Sequence, residues 1–273
     1  MRAFTTMLRL DVHEGFRATV WWRAAALGFG LFLLAAFALS MAGADMSPAT
    51  WADYLAYAFM GSADTPAGRF RMPVAWLGLV MVALFLVLWY PYRDLMGPGQ
   101  RLLVLGGSRW AWWGAKVVWV IACATVFWLV LAAGALGLCL ATGGEVSTVI
   151  DQAPGVAANL EPSMLSPVPG NGAVFIAGTL VALIALALLQ LTVSLVASPV
   201  AGFGVSVSLL VCAVFFNAPW FVPVYLMGAR CDPVIIDGLN PLVGIGVSLA
   251  VGAVSILVGG LRFSTMNILS KER

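Results

Sequence analysis

The chain has 273 residues, of which 62% are hydrophobic and only 10% charged, and its mean hydropathy is +1.00. A soluble globule needs about 25% charged residues to cover its surface, so this composition specifies a polytopic membrane protein. A net charge of +2 offers no broad basic face to nucleic acid. One histidine and four cysteines, three of them inside apolar runs, leave little for a metal site or a disulfide framework.

Residues 1–23 read as an amphipathic elbow helix lying on the cytoplasmic membrane surface. Phe4, Leu8, Val12 and Phe16 recur at i, i+4, while Arg2, Arg9, His13 and Arg17 point elsewhere and Met7 and Leu10 fall on the polar side. Trp21, Trp22 and Arg23 mark the interface where the first span begins. The segment either only anchors that span or plays a mechanical part. A basic start, an apolar run and Ala42-Gly43-Ala44 imitate a secretory signal. The long leading segment with Asp11 and Glu14, and an apolar run of full spanning length, argue against cleavage.

A spanning helix needs about 20 mostly apolar residues. Such runs occur at about 24–43, 73–92, 117–141, 172–197, 201–222 and 241–261, with Ser198-Pro199-Val200 as a tight turn between the fourth and fifth. The expected fold is all-α with six transmembrane helices. It comprises the elbow 1–23, one membrane domain 24–261 with an inner loop at 92–116, and a short cytoplasmic tail 262–273. Eleven of the fourteen basic residues fall on one side, leaving Arg69, Arg71 and Arg230 on the other, which puts both termini in the cytoplasm.

Between the spans, Thr50 and Asp53 form a capping box ahead of Trp51, Tyr54, Leu55, Ala58 and Phe59, with Gly61 as C-terminal cap. This predicts a short helix resting on the outer leaflet or covering an opening between spans. The second outer loop, about 142–171, has four prolines and reads as irregular. The third, about 223–240, holds Arg230 and Cys231; the lone thiol is free or pairs with another subunit.

Tests for chemistry come out negative. The spans carry no ionisable residue at membrane depth, which argues against ion pumps, proton-coupled carriers and intramembrane proteases. Gln190 is the most polar deep residue, expected to contact a neighbouring helix or a cargo. No nucleophile elbow occurs, and Gly106, Gly107, Gly114 and Lys116 do not follow the order of a phosphate loop. The chain is therefore expected to have no catalytic residues, no metal and no nucleotide of its own. Small residues at Gly202, Gly204, Ser206 and Ser208, then at Gly244, Ser248 and Gly252, allow close helix approach within the chain or against a partner.

The inner loop from Tyr92 to Lys116 holds a short apolar helix candidate, Gln100–Leu105, in which Leu102, Leu103 and Leu105 could seat in a protein cleft. Trp110, Trp112, Trp113 and Trp119 suit the inner interface, with Trp22, Arg23 and Lys116 as further anchors. Read alone, the loop either binds a partner or only sets topology. Its Asp94, Gly99, Leu102, Leu103, Ser108, Arg109, Gly114 and Lys116 match in order the loop of the type-2 ABC exporter permeases, particularly the six-span permeases of bacterial lantibiotic-immunity and multidrug export operons. Gln100 stands near where many members carry a glutamate. The ending, from Asn240-Pro241 to Arg262-Phe263 and Ile268-Leu269, is also similar.

The resemblance implies a transport subunit in a bacterial plasma membrane. A separate ABC ATPase subunit, using ATP and Mg, would dock on 94–109 through Asp94, Gly99, Gln100, Arg101, Leu102, Leu103, Ser108 and Arg109. It further implies a second permease, the same or related, membrane lipids as surroundings, and export of an apolar or amphipathic cargo (peptide, lipid or drug). The alternative is a membrane anchor that recruits a cytoplasmic partner without transport.

Overall fold

Backbone N–H and C=O groups have no water to bond in hydrocarbon, so apolar segments of this length resolve as helices. The computed structural model describes residues 2–15, 20–42, 48–63, 72–104 and 108–266; at 2, 3, 12, 98 and 102 the description is of the backbone. The stripe position Phe16, the basic residues Arg17, Arg69, Arg71, Lys271 and Arg273, the segments Gly43-Ala44, Leu105–Gly107 and Ile268-Leu269, and the side chains of Val12 and Leu102 lie outside that description.

Five helices are long and apolar enough to cross a membrane, which makes this a multi-pass protein. After α1 (Arg2–Leu10) and a π-turn (Asp11–Gly15) comes the first of them, α2 (Val20–Ala42). The short α3 (Trp51–Ala58) leads to the second crossing, Val74–Leu95, which is broken into α4 (Val74–Phe85) and α5 (Trp89–Leu95). Next come α6 (Pro98–Val104) and α7 (Arg109–Ala141), whose 33 residues span roughly 50 Å at the usual helical rise. The remaining helices are α8 (Ala153–Ala157), α9 (Ala173–Val196), α10 (Pro199–Phe215) and α11 (Pro241–Thr265). The most buried crossing is α9, with 67% of its apolar window inside the molecule against 28% for α2 and α11. It packs on α7, α10 and α11.

The third long helix starts at Arg109, ahead of the expected 117, and two further boundaries differ from the sequence reading. The second run is not one straight helix. Pro91 lacks an N–H and its ring crowds the carbonyl four residues earlier, that of Val87. Residues 86–88 accordingly tighten into i→i−3 bonds, Val87 to Leu84 and Leu88 to Phe85. The fifth run, expected over 201–222, is helical only to Phe215. There the buried Arg230 guanidinium donates to the carbonyls of Val214 (2.8 Å) and Phe216 (2.9 Å) and its Nε to Ser62 (2.9 Å). An arginine expected in a loop thus satisfies the end of a helix. At 17 residues, α10 is apolar but shorter than the five crossings.

The elbow end of the bundle gathers α1, α6 and the ends of α5, α7 and α11. The opposite end is a knitted cap. The capping box forms as expected, with Thr50 N–H donating to Asp53 (2.8 Å) and Asp53 N–H to the Thr50 hydroxyl (3.1 Å). Asp53 also accepts from Asp151 N–H at 2.8 Å, so this one carboxylate ties α3 to the second loop. Burial raises its carboxyl above the usual range, with those N–H bonds opposing. α3 is therefore packed inward, with Tyr54 and Leu55 buried, and does not rest on the surface. It stops at Ala58 with Phe59 as cap; Gly61, at φ 69°, turns the chain two residues later. The second loop, expected irregular, pairs Val149–Ile150 with Gly170–Asn171 in a two-stranded antiparallel ribbon (β1, β2).

Most of the small residues act within the chain. Gly202 abuts Ser194 and the Gln190 carbonyl, Gly244 abuts the Tyr225 ring, and Gly252 faces Leu188 and Ala185. Gly204 and Ser208 are exposed. Cys231 has no exposed surface and is a free thiol, which removes it from pairing with another subunit. Burial pushes it up to about 12, with Asp232 adding to the shift. In folded protein at pH 7.5, Cys231 is expected to resist a small water-soluble maleimide and to react fully after denaturation; mass spectrometry of a chain whose other cysteines are serine checks this.

Candidate functional site

Lys116 lies two turns inside α7, and its side chain is 1% exposed. An ammonium cannot stay buried without partners. It has two: an ion pair with Asp11 of the π-turn and another with Asp94 of α5 at 2.7 Å. The Tyr90 hydroxyl donates to the same Asp11 oxygen at 2.9 Å, and the Trp112 indole donates to Asp94 at 2.8 Å. The ammonium also sits 4.9 Å and 5.1 Å from the ring centres of Tyr90 and Trp112, close enough for cation–π attraction. One lysine thus ties the N-terminal elbow, the broken second crossing and the long third one.

Burial raises the Asp11 carboxyl above its usual range, and the attraction of Lys116 opposes the shift. Its Oδ2 has no hydrogen-bond partner among the described residues. A recess of about 180 Å3 beside the cluster is lined by Met7, Leu10, Glu14 and Arg93 together with the cluster itself. Its acids, Asp11, Glu14 and Asp94, outnumber Lys116 and Arg93 by one. Among these residues no nucleophile is set against a base. What the arrangement does is hold three segments in register through charge.

The expected site residues fall into two groups. Some are committed inside the chain. Asp94 is engaged as above, with a side chain only 14% exposed. Gly99 packs under it, where an added Cβ would lie 2.7 Å from the Trp112 indole nitrogen. Ser108 caps α7 by accepting from Ala111 N–H. Arg109 donates to the carbonyls of Ser264 (2.6 Å) and Met266 (3.0 Å), closing the end of α11. Others face outward: Arg101 on α6 is exposed and Gln100 and Leu103 are half-buried; Val104, not among the expected residues, is exposed beside them.

Of the expected interface anchors, Trp22 is exposed, while Arg23 turns inward to donate to Cys123. Trp112, Trp113 and Lys116 are interior, which corrects their reading as headgroup anchors. Trp112 stacks on Phe263 at 4.6 Å, and Trp113 lies against Gly259 and bonds the Ile256 carbonyl, because α11 packs across the start of α7. Gln190 makes the expected helix contact, donating to the Leu84 carbonyl at 2.9 Å, one residue short of the break in the second crossing.

Asp11 and Tyr90 were not among the expected site residues. The signal for Asp11 lay in the elbow's periodicity: Phe4, Leu8, Asp11 and Gly15 share one helical face, so a carboxylate stood on the apolar stripe and required a buried partner. Met7, expected on the polar side, is buried for the same reason: the face turned inward is centred between Met7 and Asp11.

Comparison with protein-family models, with curated proteins and with solved structures gives no match.

Replacing Lys116 leaves two acids without their cation. Lys116→Met is expected to cost about 3–5 kcal/mol, and Asp11→Asn/Lys116→Met to recover part of that; thermal unfolding in detergent reads both. The pH sign follows from the raised Asp11 carboxyl. The folded chain binds its proton more tightly than the unfolded one, so this contribution is fully present below the ordinary carboxylate range and is lost as pH rises through the raised value. Asp11→Asn is expected to flatten that part of the stability–pH curve.

Proposed function

We propose that the chain is the permease subunit of an ATP-driven exporter in a bacterial plasma membrane. In this reading α10 is a sixth, short crossing, both termini are cytoplasmic, and the cargo is apolar or amphipathic. A separate ATPase, with its ATP and Mg, docks on the 94–109 loop, and a second permease, the same or related, completes the assembly.

The observation that supports this reading is the mounting of α6. This short helix, with Arg101 and Val104 outward, is flanked by Asp94 on one side and by Ser108 and Arg109 on the other, and Asp94 is ion-paired to Lys116 of α7. A push on α6 is therefore delivered to α5 and, through the Asp94–Lys116 and Lys116–Asp11 pairs, to α7 and the elbow. Such a push shifts a permease between two states only if the partner contacts the two differently. In this reading docking centres on the exposed Arg101 and Val104, with the half-buried Gln100 and Leu103 beside them. The walls that face the apolar surroundings carry almost no charge, in keeping with an apolar cargo.

The test uses full-length chain purified in mild detergent from its native host. An ABC ATPase is expected to co-elute with the unaltered chain and to fall about tenfold with Arg101→Glu/Val104→Asp, two exposed positions whose change spares the core. Lys116→Met is expected to keep the ATPase bound while weakening the response of its hydrolysis to the permease. An ATPase absent from the unaltered chain, or retained undiminished by the double variant, overturns the docking assignment; another cytoplasmic protein in its place favours the membrane anchor.

A further inference from the structure

A second recess opens sideways from the bundle, between α2, the end of α4 and α10. Its volume is about 400 Å3, and Trp22, Ala25, Phe29, Met81, Phe85 and Phe203 supply most of its wall, with no charged side chain. One end is a run of three rings: Phe85 meets Trp22 at 5.2 Å and Phe203 at 6.0 Å, edge to face in both cases. Seven residues along α2, a rise of about 10 Å, Phe29 closes the other end against Gly78, where an added Cβ would lie 3.1 Å from its ring.

The recess is open to the surroundings, and its apolar walls offer water almost no hydrogen-bonding partner. Its mouth, at the exposed Trp22 and Ala25, continues into the exposed apolar face of α2, which includes Val20, Leu31, Phe32 and Leu39. In a multi-pass protein that face meets hydrocarbon. A peptide entering the recess would bring backbone N–H and C=O groups to walls that offer them no partner, and a drug-sized ligand ordinarily needs a few placed polar groups. A linear hydrocarbon chain needs neither. Trp21 and Trp22 at the mouth are the side chains that favour the headgroup level.

We infer that this recess binds one acyl chain of a membrane phospholipid, seated against Phe85 with its headgroup beside Trp21 and Trp22. The inference does not depend on transport or on an ATPase. It has a structural consequence: Phe85 is the last residue of α4, directly before the 86–88 break, and its neighbour Leu84 is held by Gln190. An occupied recess props the Phe85 ring and thereby the break.

The test places the purified full-length chain in phosphatidylcholine nanodiscs with a small fraction of a phospholipid bearing a photoactivatable diazirine in mid-chain. Adducts are mapped by peptide mass spectrometry. Adducts at Met81–Leu86 are expected to exceed those on the exposed α11 residues Leu249 and Leu257, and to fall about tenfold in Ala25→Trp, which fills the mouth. Ala24→Trp, an exposed neighbour outside the lining, is expected to leave them unchanged, and the α11 adducts report intact insertion in both variants. Labelling at Met81–Leu86 no higher than on α11, or insensitive to Ala25→Trp, overturns the site. Labelling by a free hydrophobic diazirine probe but not by the phospholipid overturns the assignment to lipid and leaves an amphipathic cargo as occupant.

Discussion

A lysine ammonium removed from water has to be surrounded by opposite charge, and at Lys116 that requirement draws together segments far apart in sequence. Asp11 belongs to the elbow, Asp94 to the far side of a proline break, and Lys116 to the longest helix of the chain. Buried ion pairs are weak sources of net stability but are strongly disrupted when one partner is lost. Their value here is positional: the elbow can sit against α7 in one register only, the one in which Asp11 meets the lysine while Tyr90 and Trp112 complete the shell.

The same demand for partners explains the irregular points elsewhere. Where Pro91 breaks the second crossing, a side-chain amide from α9 takes the Leu84 carbonyl. Where α10 stops, Arg230 donates to the Val214 carbonyl of its last turn and to the Phe216 carbonyl just beyond it. Where α3 turns inward, Asp53 accepts backbone N–H groups from two segments. At the break in the second crossing and at the end of α10, the polar side chain that arrives comes from a different element.

The membrane class, the positions of the long helices, the capping box and the short inner-loop helix were legible in the sequence, because they follow from local apolar length and local cap chemistry. The break at 86–88 was legible too, in Pro91, but hydropathy alone ran across it. The end of α10 was not: nothing local tells Phe215 from Val222, since the stop is completed by an arginine fourteen residues beyond Phe216. The candidate site was half visible. Asp94 and Lys116 stood out, yet their mutual pairing, and so the inward fate of Asp94, depended on α5 and the start of α7 meeting in space. Asp11 left a trace as an acid on an apolar stripe, whereas the burial of Trp112 and Trp113 depended on α11 crossing the start of α7, a tertiary fact with no local signature.

The two ends of the molecule share one helix. From Lys116 near its start, α7 runs roughly 40 Å to Thr142, which hydrogen-bonds Tyr54 of α3 at 2.9 Å, and on the way its Ala132 carbonyl accepts the Trp51 indole at 3.0 Å. A continuous helix behaves as a stiff rod on this scale. A rotation about its axis large enough to carry Lys116 away from Asp11 and Asp94 also carries Ala132 and Thr142 out of reach of α3. The cap and the charged junction are therefore read by each other in both directions, and a ligand that favours one arrangement of the cap must by reciprocity favour the matching state of the junction.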